Sequence, residues 1–305
     1  MTGIPTRRLG RTGFDATILG FGAMELRGAA GGRGRAITPE QAERVLNGVL
    51  DEGINYIDTS IDYGTSEEFI GEYISHRRDE YFLASKCGCL VGAPPAPPGQ
   101  RSLHLFTREN IVAGVDQSLR RMKTDHLDLV QLHTSPSLET IRANDVLATL
   151  ADLQADGKVR FIGSSSTLPD ISDHIALDVF DVFQIPYSVL QSEHEEAITE
   201  AAVHGAGTVI RGGVARGEPG SGTGSADVWA AYERAGLAEL ADGASRSEFV
   251  LRLTISHPSL STTIVGTLNS DHLADNVATV KKGPLDSATY EEAKRRLSEV
   301  VSETR

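Results

Sequence analysis

Residues 107–133, TRENIVAGVDQSLRRMKTDHLDLVQLH, combine a helical segment with a strand that follows it almost at once. Apolar residues recur in the first segment at the spacing of one helix face, at Ile111, Val112, Val115 and Leu119. Thr107 is a candidate N-cap, and LDLVQLH is an apolar-rich strand that ends on His133. This pattern predicts one helix–strand unit with a strand buried on both faces.

The same unit recurs along the chain. The predicted strands are ATILGFG (16–22), NYIDTS, YFLASK, LDLVQLH, VRFIGSSS, VFDVFQIPYS, GTVIRG and STTIVG (261–266). Eight strand-then-helix units in 305 residues predict an α/β protein with a (β/α)8 TIM barrel rather than an open doubly wound sheet. Because no Pro/Gly-rich linker divides the chain, we expect a single domain over residues 1–305.

Three further features of the barrel can be predicted. RRLGRTGF, before the first strand, is expected to form an N-terminal hairpin over the barrel floor. The long segments 87–106 and 211–225 both follow strands and should lie at the mouth. Helices are predicted over 38–53, with Thr38 as N-cap, over 144–158, and after Ser270, the expected N-cap of the helix that follows the last strand.

Composition excludes several classes of function. A net charge of −13, from 29 basic and 42 acidic residues, argues against a nucleic-acid or anionic-membrane surface. No apolar run reaches the roughly 20 residues of a membrane span, and the N-terminus lacks a signal-peptide core. Cys87 and Cys89 are too close for an unstrained disulfide, which is typical of a reducing compartment and predicts a cytoplasmic location. No ligand spacing indicates a metal site.

Four polar residues follow the apolar runs. Asp58, Lys86 and His133 each end a predicted strand, and Tyr63 lies just beyond one. All strand C-termini of a parallel barrel point to one face, so these side chains should meet at the mouth. A phenol with a pKa near ~10 is a poor acid at neutral pH. We expect the Lys86 ammonium to lower that pKa, Asp58 to hold Lys86, and a neutral His133 to orient a carbonyl oxygen.

This arrangement can protonate an oxygen as negative charge develops on it, which carbonyl reduction requires. None of the four groups can supply hydride, so a nicotinamide cofactor is implied. GAAGGRG (28–34) is neither a P-loop nor a dinucleotide fingerprint, and we interpret it as a loop after the first strand.

The chain resembles the aldo-keto reductase family over nearly its whole length. The similar segments, in order, are LGFGAM, INYIDTSIDYG, ASK, LDLVQLH, GKVRFIGSSS, FQIPYS and TIVGTLNSDHLADNV. The resemblance implies a reversible NAD(P)H-dependent reduction of an aldehyde or ketone to an alcohol. It also implies that Asp58, Tyr63, Lys86 and His133 are the catalytic residues, with Tyr63 as the proton donor.

The resemblance further implies where the cofactor binds. Ser165, Ser166 and Gln184 would hold the nicotinamide amide, Tyr187 would stack on its ring, and the loop from Arg211 would cover the pyrophosphate. The full set of implied contacts is Gly22, Ala23, Met24, Ser165, Ser166, Gln184, Tyr187, Arg211, Gly212, Gly213, Arg216, Gly266, Thr267, Asn269, His272 and Asn276. GTLNSDH lacks the Lys or Arg that often grips the 2′-phosphate, but Asn269, Ser270, His272 or Arg216 can serve, so NADPH is favoured over NADH.

Two other functions have features in common with this pattern. A regulatory or accessory barrel that binds the cofactor with little turnover would have the same fold, but the intact set of four polar residues favours an enzyme. A metal-dependent barrel hydrolase would need His and Asp ligands on several strand ends, and His133 and Asp58 are too few.

The substrate is expected to be a small carbonyl or alcohol. Loops 24–36, 87–106 and 211–229 are expected to select it, and Trp229 is a candidate for a residue that contributes to this selection. The Pro-stiffened apolar residues of 94–106 indicate a partly hydrophobic pocket.

Overall fold

A hairpin comes first in the chain and covers one end of the structure. The computed structural model describes residues 3–29, 34–93, 100, 102–220 and 222–302. Strands β1 (Thr6–Arg8) and β2 (Asp15–Thr17) pair antiparallel, as predicted. The Arg7 guanidinium donates to the carbonyls of Ile255, His257 and Leu260 at 2.8–3.0 Å. These bonds fasten the hairpin to the segment that precedes the last strand.

The remaining strands form a closed parallel barrel. They are β3 (Leu19–Gly22), β4 (Tyr56–Asp58), β5 (Phe82–Cys87), β6 (Leu127–His133), β7 (Val159–Ser165), β8 (Val182–Pro186), β9 (Gly207–Arg211) and β10 (Thr262–Val265). Their order around the barrel is β10-β3-β4-β5-β6-β7-β8-β9, so β10 pairs with both β3 and β9. The predicted (β/α)8 barrel is therefore confirmed.

Helices surround these strands. They are α1 (Pro39–Asp51), α2 (Ser66–Tyr73), α3 (Arg108–Met122), α4 (Leu138–Ala143), α5 (Val146–Ala155), α6 (Asp170–Ala176), α7 (Glu195–Val203), α8 (Ala226–Arg234), α9 (Arg246–Ile255), α10 (Ser270–Lys281) and α11 (Ser287–Ser302). The side chains of Thr38 and Thr107 accept from the amides of Gln41 and Asn110, so both predicted caps are confirmed. No helix of the described residues is both long and apolar enough to cross a bilayer.

Two sequence predictions are wrong in detail, whereas the predicted helix 144–158 is confirmed as α5, with the separate helix α4 before it. The predicted strand 16–22 is two strands, because Thr17 pairs with Thr6 of the hairpin while Leu19 pairs with Thr263 of the barrel. The N-cap of α10 is Asn269 rather than Ser270, because the extended Asn269 accepts from the Asp271 amide at 2.8 Å through its side chain.

Apolar side chains fill the floor of the barrel. Leu9 of the hairpin is fully buried in a cluster of residues that point into the barrel, with Ala16, Tyr56, Phe82, Ala84, Leu129, Val182 and Val209. The ring of Phe82 lies 5.6 Å from that of Tyr56 and 6.2 Å from that of Phe161. A second apolar layer lies between the strands and the helices. Water is therefore excluded below the mouth, where the polar strand ends lie.

We predict that Leu9→Ala lowers the free energy of unfolding by about 2–5 kcal/mol, because it leaves a cavity in the barrel floor. Leu103→Ala is the matched control, since the Leu103 side chain is 66% exposed and its loss should cost less than about 0.5 kcal/mol. Urea unfolding of the two variants and the native chain measures both values. Equal midpoints for Leu9→Ala and the native chain would show that the hairpin does not close the barrel.

Candidate active site

A buried ion pair lies at the centre of the mouth. Lys86, on β5, donates from Nζ to Oδ2 of Asp58 at 2.7 Å and to the carbonyl of Thr59 at 2.8 Å. Both charged residues are almost completely buried. Burial alone would lower the pKa of Lys86, but the charges of Asp58, Tyr63 and Asp62 and the hydrogen bond to Asp58 raise it above its usual value. The lysine is therefore held as an ammonium.

Two amide side chains complete the coordination of Asp58. Its Oδ1 accepts from Nε2 of Gln131 at 3.0 Å and from Nε2 of Gln184 at 2.7 Å. Oε1 of Gln184 in turn accepts from the Ser165 hydroxyl at 2.9 Å. Sequence reasoning missed Gln131, although it lies two residues before His133 and so on the same face of β6. The carboxylate is thus fixed by side chains from three other strands, β5, β6 and β8.

Tyr63 lies above this pair, on the loop after β4. Its ring centroid is 5.1 Å from Nζ of Lys86, and its ring meets that of His133 edge-on at 6.1 Å. Burial raises the pKa of Tyr63 above its usual value, Lys86 opposes that rise, and Asp58 and Asp62 add to it. The expectation that the Lys86 ammonium lowers this pKa is confirmed for the lysine's own contribution, but burial outweighs that contribution, so the net pKa is raised.

His133 ends β6 beside the tyrosine. Burial lowers its pKa to about 3, so the imidazole is neutral at physiological pH, as expected. Its Nδ1 lies 3.2 Å from Sγ of Cys89, 3.2 Å from Nε2 of His104 and 3.7 Å from Oδ1 of Asp62. Sequence reasoning missed these three neighbours. Asp62 adjoins Tyr63 and could have been noticed, whereas His104 comes from the far end of a long loop.

Of the residues expected to hold a nicotinamide amide, the structure brings two together. Ser165 and Gln184 are joined at the ends of β7 and β8. The Ser166 hydroxyl belongs to a different network and lies 3.0 Å from Nδ1 of His174. The ring of Tyr187 is buried and packs edge-on against His257 at 5.6 Å. Of this set, Gln184 therefore bonds the Asp58 carboxylate directly, and Ser165 is linked to it through Gln184.

The ends of β3, β9 and β10 pack closely. A Cβ on Gly266 would lie 2.5 Å from the carbonyl oxygen of Gly22, and one on Gly213 would lie 2.3 Å from Oγ1 of Thr263. Next to these glycines, Ala23 is buried and Met24 is exposed, while Gly212 is exposed with φ 83°. Glycine is thus required for the backbones to approach one another at this side of the mouth.

Two arginines lie at and beyond the end of β9. Burial lowers the pKa of Arg211 below its usual value, and the charges of Tyr63 and Asp58 oppose that shift, so the guanidinium lies within electrostatic range of both. Arg216 is exposed on the loop beyond and has φ 61°. Trp229, a candidate for substrate selection, is buried and donates from its indole to the carbonyl of Gly217. It supports this loop from beneath.

The N-terminus of α10 lies after β10. The Thr267 hydroxyl accepts from the Asn269 amide at 3.0 Å, and the side chain of Asn269 caps the helix. His272 is exposed, and Asn276 follows one turn later on the same face. The described parts of loops 24–36 and 87–106 also border the mouth, whereas residues 30–33 and Pro94, Pro95, Pro97 and Pro98 lie outside the described residues.

These groups fit a nicotinamide dinucleotide. β7, β8, β9 and β10 are neighbours in the barrel. One side of the mouth therefore carries, in order, the Ser165–Gln184 pair, two arginines and the N-terminus of α10. An amide would bind to Ser165 and Gln184, and phosphates suit the arginines and the first turn of α10. When bound, such a cofactor supplies hydride.

The sequence model of the Aldo/keto reductase family matches residues 18–296, which include every barrel strand. The chain belongs to this family. Aldo/keto reductases are oxidoreductases that act generally on carbonyl groups of small molecules with nicotinamide cofactors. The predicted family resemblance is therefore confirmed.

Individual aldo/keto reductases and related oxidoreductases are similar over nearly the full chain. The uncharacterized oxidoreductase YqkF of Bacillus subtilis is 26% identical over 89% of both chains. The L-galactose dehydrogenase of Arabidopsis thaliana is 26% identical over 92% of this chain and 89% of its own. The solved holo form of the aldo-keto reductase AKR11C1 from Bacillus halodurans is 25% identical, covers 96% of both chains and has a TM-score of 0.80.

We predict that Asp58→Asn lowers the free energy of unfolding by about 3–5 kcal/mol, because it leaves the Lys86 ammonium buried without a counter-charge. Asp58→Asn combined with Lys86→Met should regain most of that stability. The control is the half-exposed pair of Lys158 and Asp116, at 2.8 Å, whose loss should cost about 1 kcal/mol or less. Denaturant titration of the variants tests this, and equal losses at the two pairs would contradict it.

Proposed function

We propose that this protein is an NADPH-dependent carbonyl reductase in which Tyr63 donates the proton and which also runs in reverse as an alcohol dehydrogenase. The observation that carries the proposal is the position of the Lys86 ammonium, 5.1 Å from the Tyr63 ring and fixed by Asp58. A carbonyl oxygen gains negative charge as it is reduced, and a nearby phenol can donate its proton to that oxygen. The lysine then stabilises the phenolate that remains.

The protonation states of the resting site support this role for Tyr63. Its raised pKa keeps the phenol protonated at neutral pH, which a proton donor requires. His133 is neutral and can orient the carbonyl oxygen without competing for the proton. Asp58 binds both the lysine and Gln184, so the proton donor and the amide-binding side of the mouth share one rigid support.

NADPH is proposed over NADH on the charge of the pocket. Arg211 and Arg216 provide positive charge at the mouth of a chain whose net charge is −13. His272 and Asn276 lie on one face of α10 near its N-terminus, where a 2′-phosphate could accept hydrogen bonds. The alternative, an accessory barrel that binds the cofactor with little turnover, makes the same binding prediction and the opposite prediction for activity.

We expect Tyr63→Phe to lower kcat for aldehyde reduction by about 10²–10⁴-fold while the affinity for NADPH stays unchanged. Tyr73→Phe is the matched control, because Tyr73 packs against Phe69 on α2 and should keep full activity. NADPH oxidation with a panel of aldehydes measures turnover, and fluorescence titration with NADPH and NADH measures binding. Native protein that binds NADPH and reduces nothing would favour the accessory function, and full activity of Tyr63→Phe would remove its assigned role.

The pH dependence of kcat should reflect the shifted pKa values of Tyr63 and His133 rather than the usual values of tyrosine and histidine. Because the pKa of Tyr63 is raised, the donor stays protonated and kcat should hold its plateau until the pH exceeds ~10, then fall. Because the pKa of His133 is about 3, no inflection is expected near ~6.5. A kcat profile over the range where the protein stays folded checks both. A step near neutral pH that disappears in His133→Gln would contradict the second expectation.

A further inference from the structure

Four potential metal ligands converge on one side of the catalytic mouth. Asp62, Cys89, His104 and His133 each offer one donor atom, and all four atoms lie within 4.8 Å of one another. They come from the loop after β4, the segment after β5, the end of the long mouth loop and the end of β6. Sequence spacing gave no sign of this group, because its members are spread over about 70 residues of chain and meet only in the barrel.

Three distances, all measured from Nδ1 of His133, are close to those between ligands of a tetrahedral zinc site. Ligand atoms about 2.0–2.3 Å from Zn²⁺ lie roughly 3.3–3.6 Å from one another. Nδ1 of His133 is 3.2 Å from Sγ of Cys89, 3.2 Å from Nε2 of His104 and 3.7 Å from Oδ1 of Asp62. All four donor atoms lie within 4.8 Å of one another, so local side-chain adjustment would bring them into contact with one ion.

The orientation of His104 supplies independent support. Its Nδ1 lies 2.8 Å from the carbonyl oxygen of Ser102, which can only accept a hydrogen bond. The neutral ring therefore carries its proton on Nδ1 and turns the lone pair of Nε2 toward His133. Histidine ligands of metals commonly donate their other nitrogen to a backbone carbonyl in this way.

The other ligands are also held from outside the group. The Ser60 hydroxyl donates to Oδ1 of Asp62 at 2.7 Å. Cys89 and His104 form a backbone bridge, and the side-chain amide of Asn110 donates to the carbonyls of Cys89 and Leu105 at 3.1 and 2.7 Å. Ligand positions that are fixed before binding favour a specific metal site over an incidental contact of polar groups.

The charges also suit a divalent cation. The Asp62 carboxylate and a deprotonated Cys89 would together balance two positive charges, with the thiol proton released on binding. Lys86, whose Nζ lies 5.1 Å from the Tyr63 ring, is paired with the Asp58 carboxylate at 2.7 Å. A mixed set of thiolate, imidazole and carboxylate ligands favours zinc over magnesium or calcium, which prefer oxygen ligands.

We propose that Asp62, Cys89, His104 and His133 form a binding site for Zn²⁺ at the mouth of the barrel. A cation on Nδ1 leaves the single ring proton of His133 on Nε2. On the proposed function, that proton is the one that would hydrogen-bond a carbonyl oxygen, so the metal would hold His133 as a donor. The site would also fasten the end of the long mouth loop, through His104, to the catalytic strand.

Binding can be measured without any turnover. The full-length protein is treated with a chelator, dialysed, and titrated with Zn²⁺ by calorimetry. We expect one equivalent to bind, and Cys89→Ser and His104→Ala each to weaken binding by at least about 10-fold. Cys87→Ser and His204→Ala are the matched controls, because Cys87 is the other buried thiol and His204 lies 3.5 Å from the exposed carboxylate of Asp178. Neither control should change the affinity.

Cobalt provides a spectroscopic readout of the ligands. Co²⁺ bound in place of zinc should show thiolate-to-metal absorption that is present in the native chain and in Cys87→Ser but absent in Cys89→Ser. Circular dichroism and unfolding midpoints show whether each variant remains folded. Absence of stoichiometric Zn²⁺ binding, or binding unchanged in folded Cys89→Ser and His104→Ala, would overturn the site. Failure of the reductase assay would leave this binding result unaffected, so the two proposals can fail separately.

Discussion

The buried ion pair between Lys86 and Asp58 is the constraint on which the mouth of the barrel depends. Two charges removed from water are stable only when their geometry and remaining hydrogen bonds are nearly complete. Here Lys86 is bonded to Asp58 and to the Thr59 carbonyl, and the carboxylate also binds Gln131 and Gln184. β4, β5, β6 and β8 are thereby joined through one carboxylate. Tyr63 lies over this support, with its ring centroid 5.1 Å from Nζ of Lys86.

The barrel separates this polar centre from an apolar floor. Leu9, Tyr56 and Phe82 fill the lower interior and exclude water, which strengthens the electrostatic interactions above them. The same burial opposes the charged forms of Tyr63 and His133. It therefore raises the pKa of the phenol, lowers that of the imidazole, and leaves both groups neutral beside a charged lysine. On the proposed function, this one physical effect prepares both the proton donor and its neutral hydrogen-bonding partner.

Most of the fold could be predicted from the sequence, since apolar strands and amphipathic helices have local periodicities. LDLVQLH is a strand over all seven predicted residues, and Thr38 and Thr107 cap their helices as expected. The errors had two causes. Thr17 pairs with Thr6 of the hairpin, a partner that the local pattern of residues 16–22 does not reveal. Asn269 rather than Ser270 is the N-cap of α10 because Asn269 has the extended backbone conformation.

The sequence by itself determined the barrel, the strand ends that carry Asp58, Lys86 and His133, and the type of chemistry those groups can perform, because each follows from local pattern and residue type. Only the tertiary structure decided how they are partnered. Gln131 and Gln184 donate to Asp58. The Ser166 hydroxyl lies beside His174 and not in the Ser165–Gln184 pair. Asp62, Cys89 and His104 surround His133. Except for the contact between Ser166 and His174, these contacts join residues far apart in the chain, and their strength depends on burial, which no local pattern specifies.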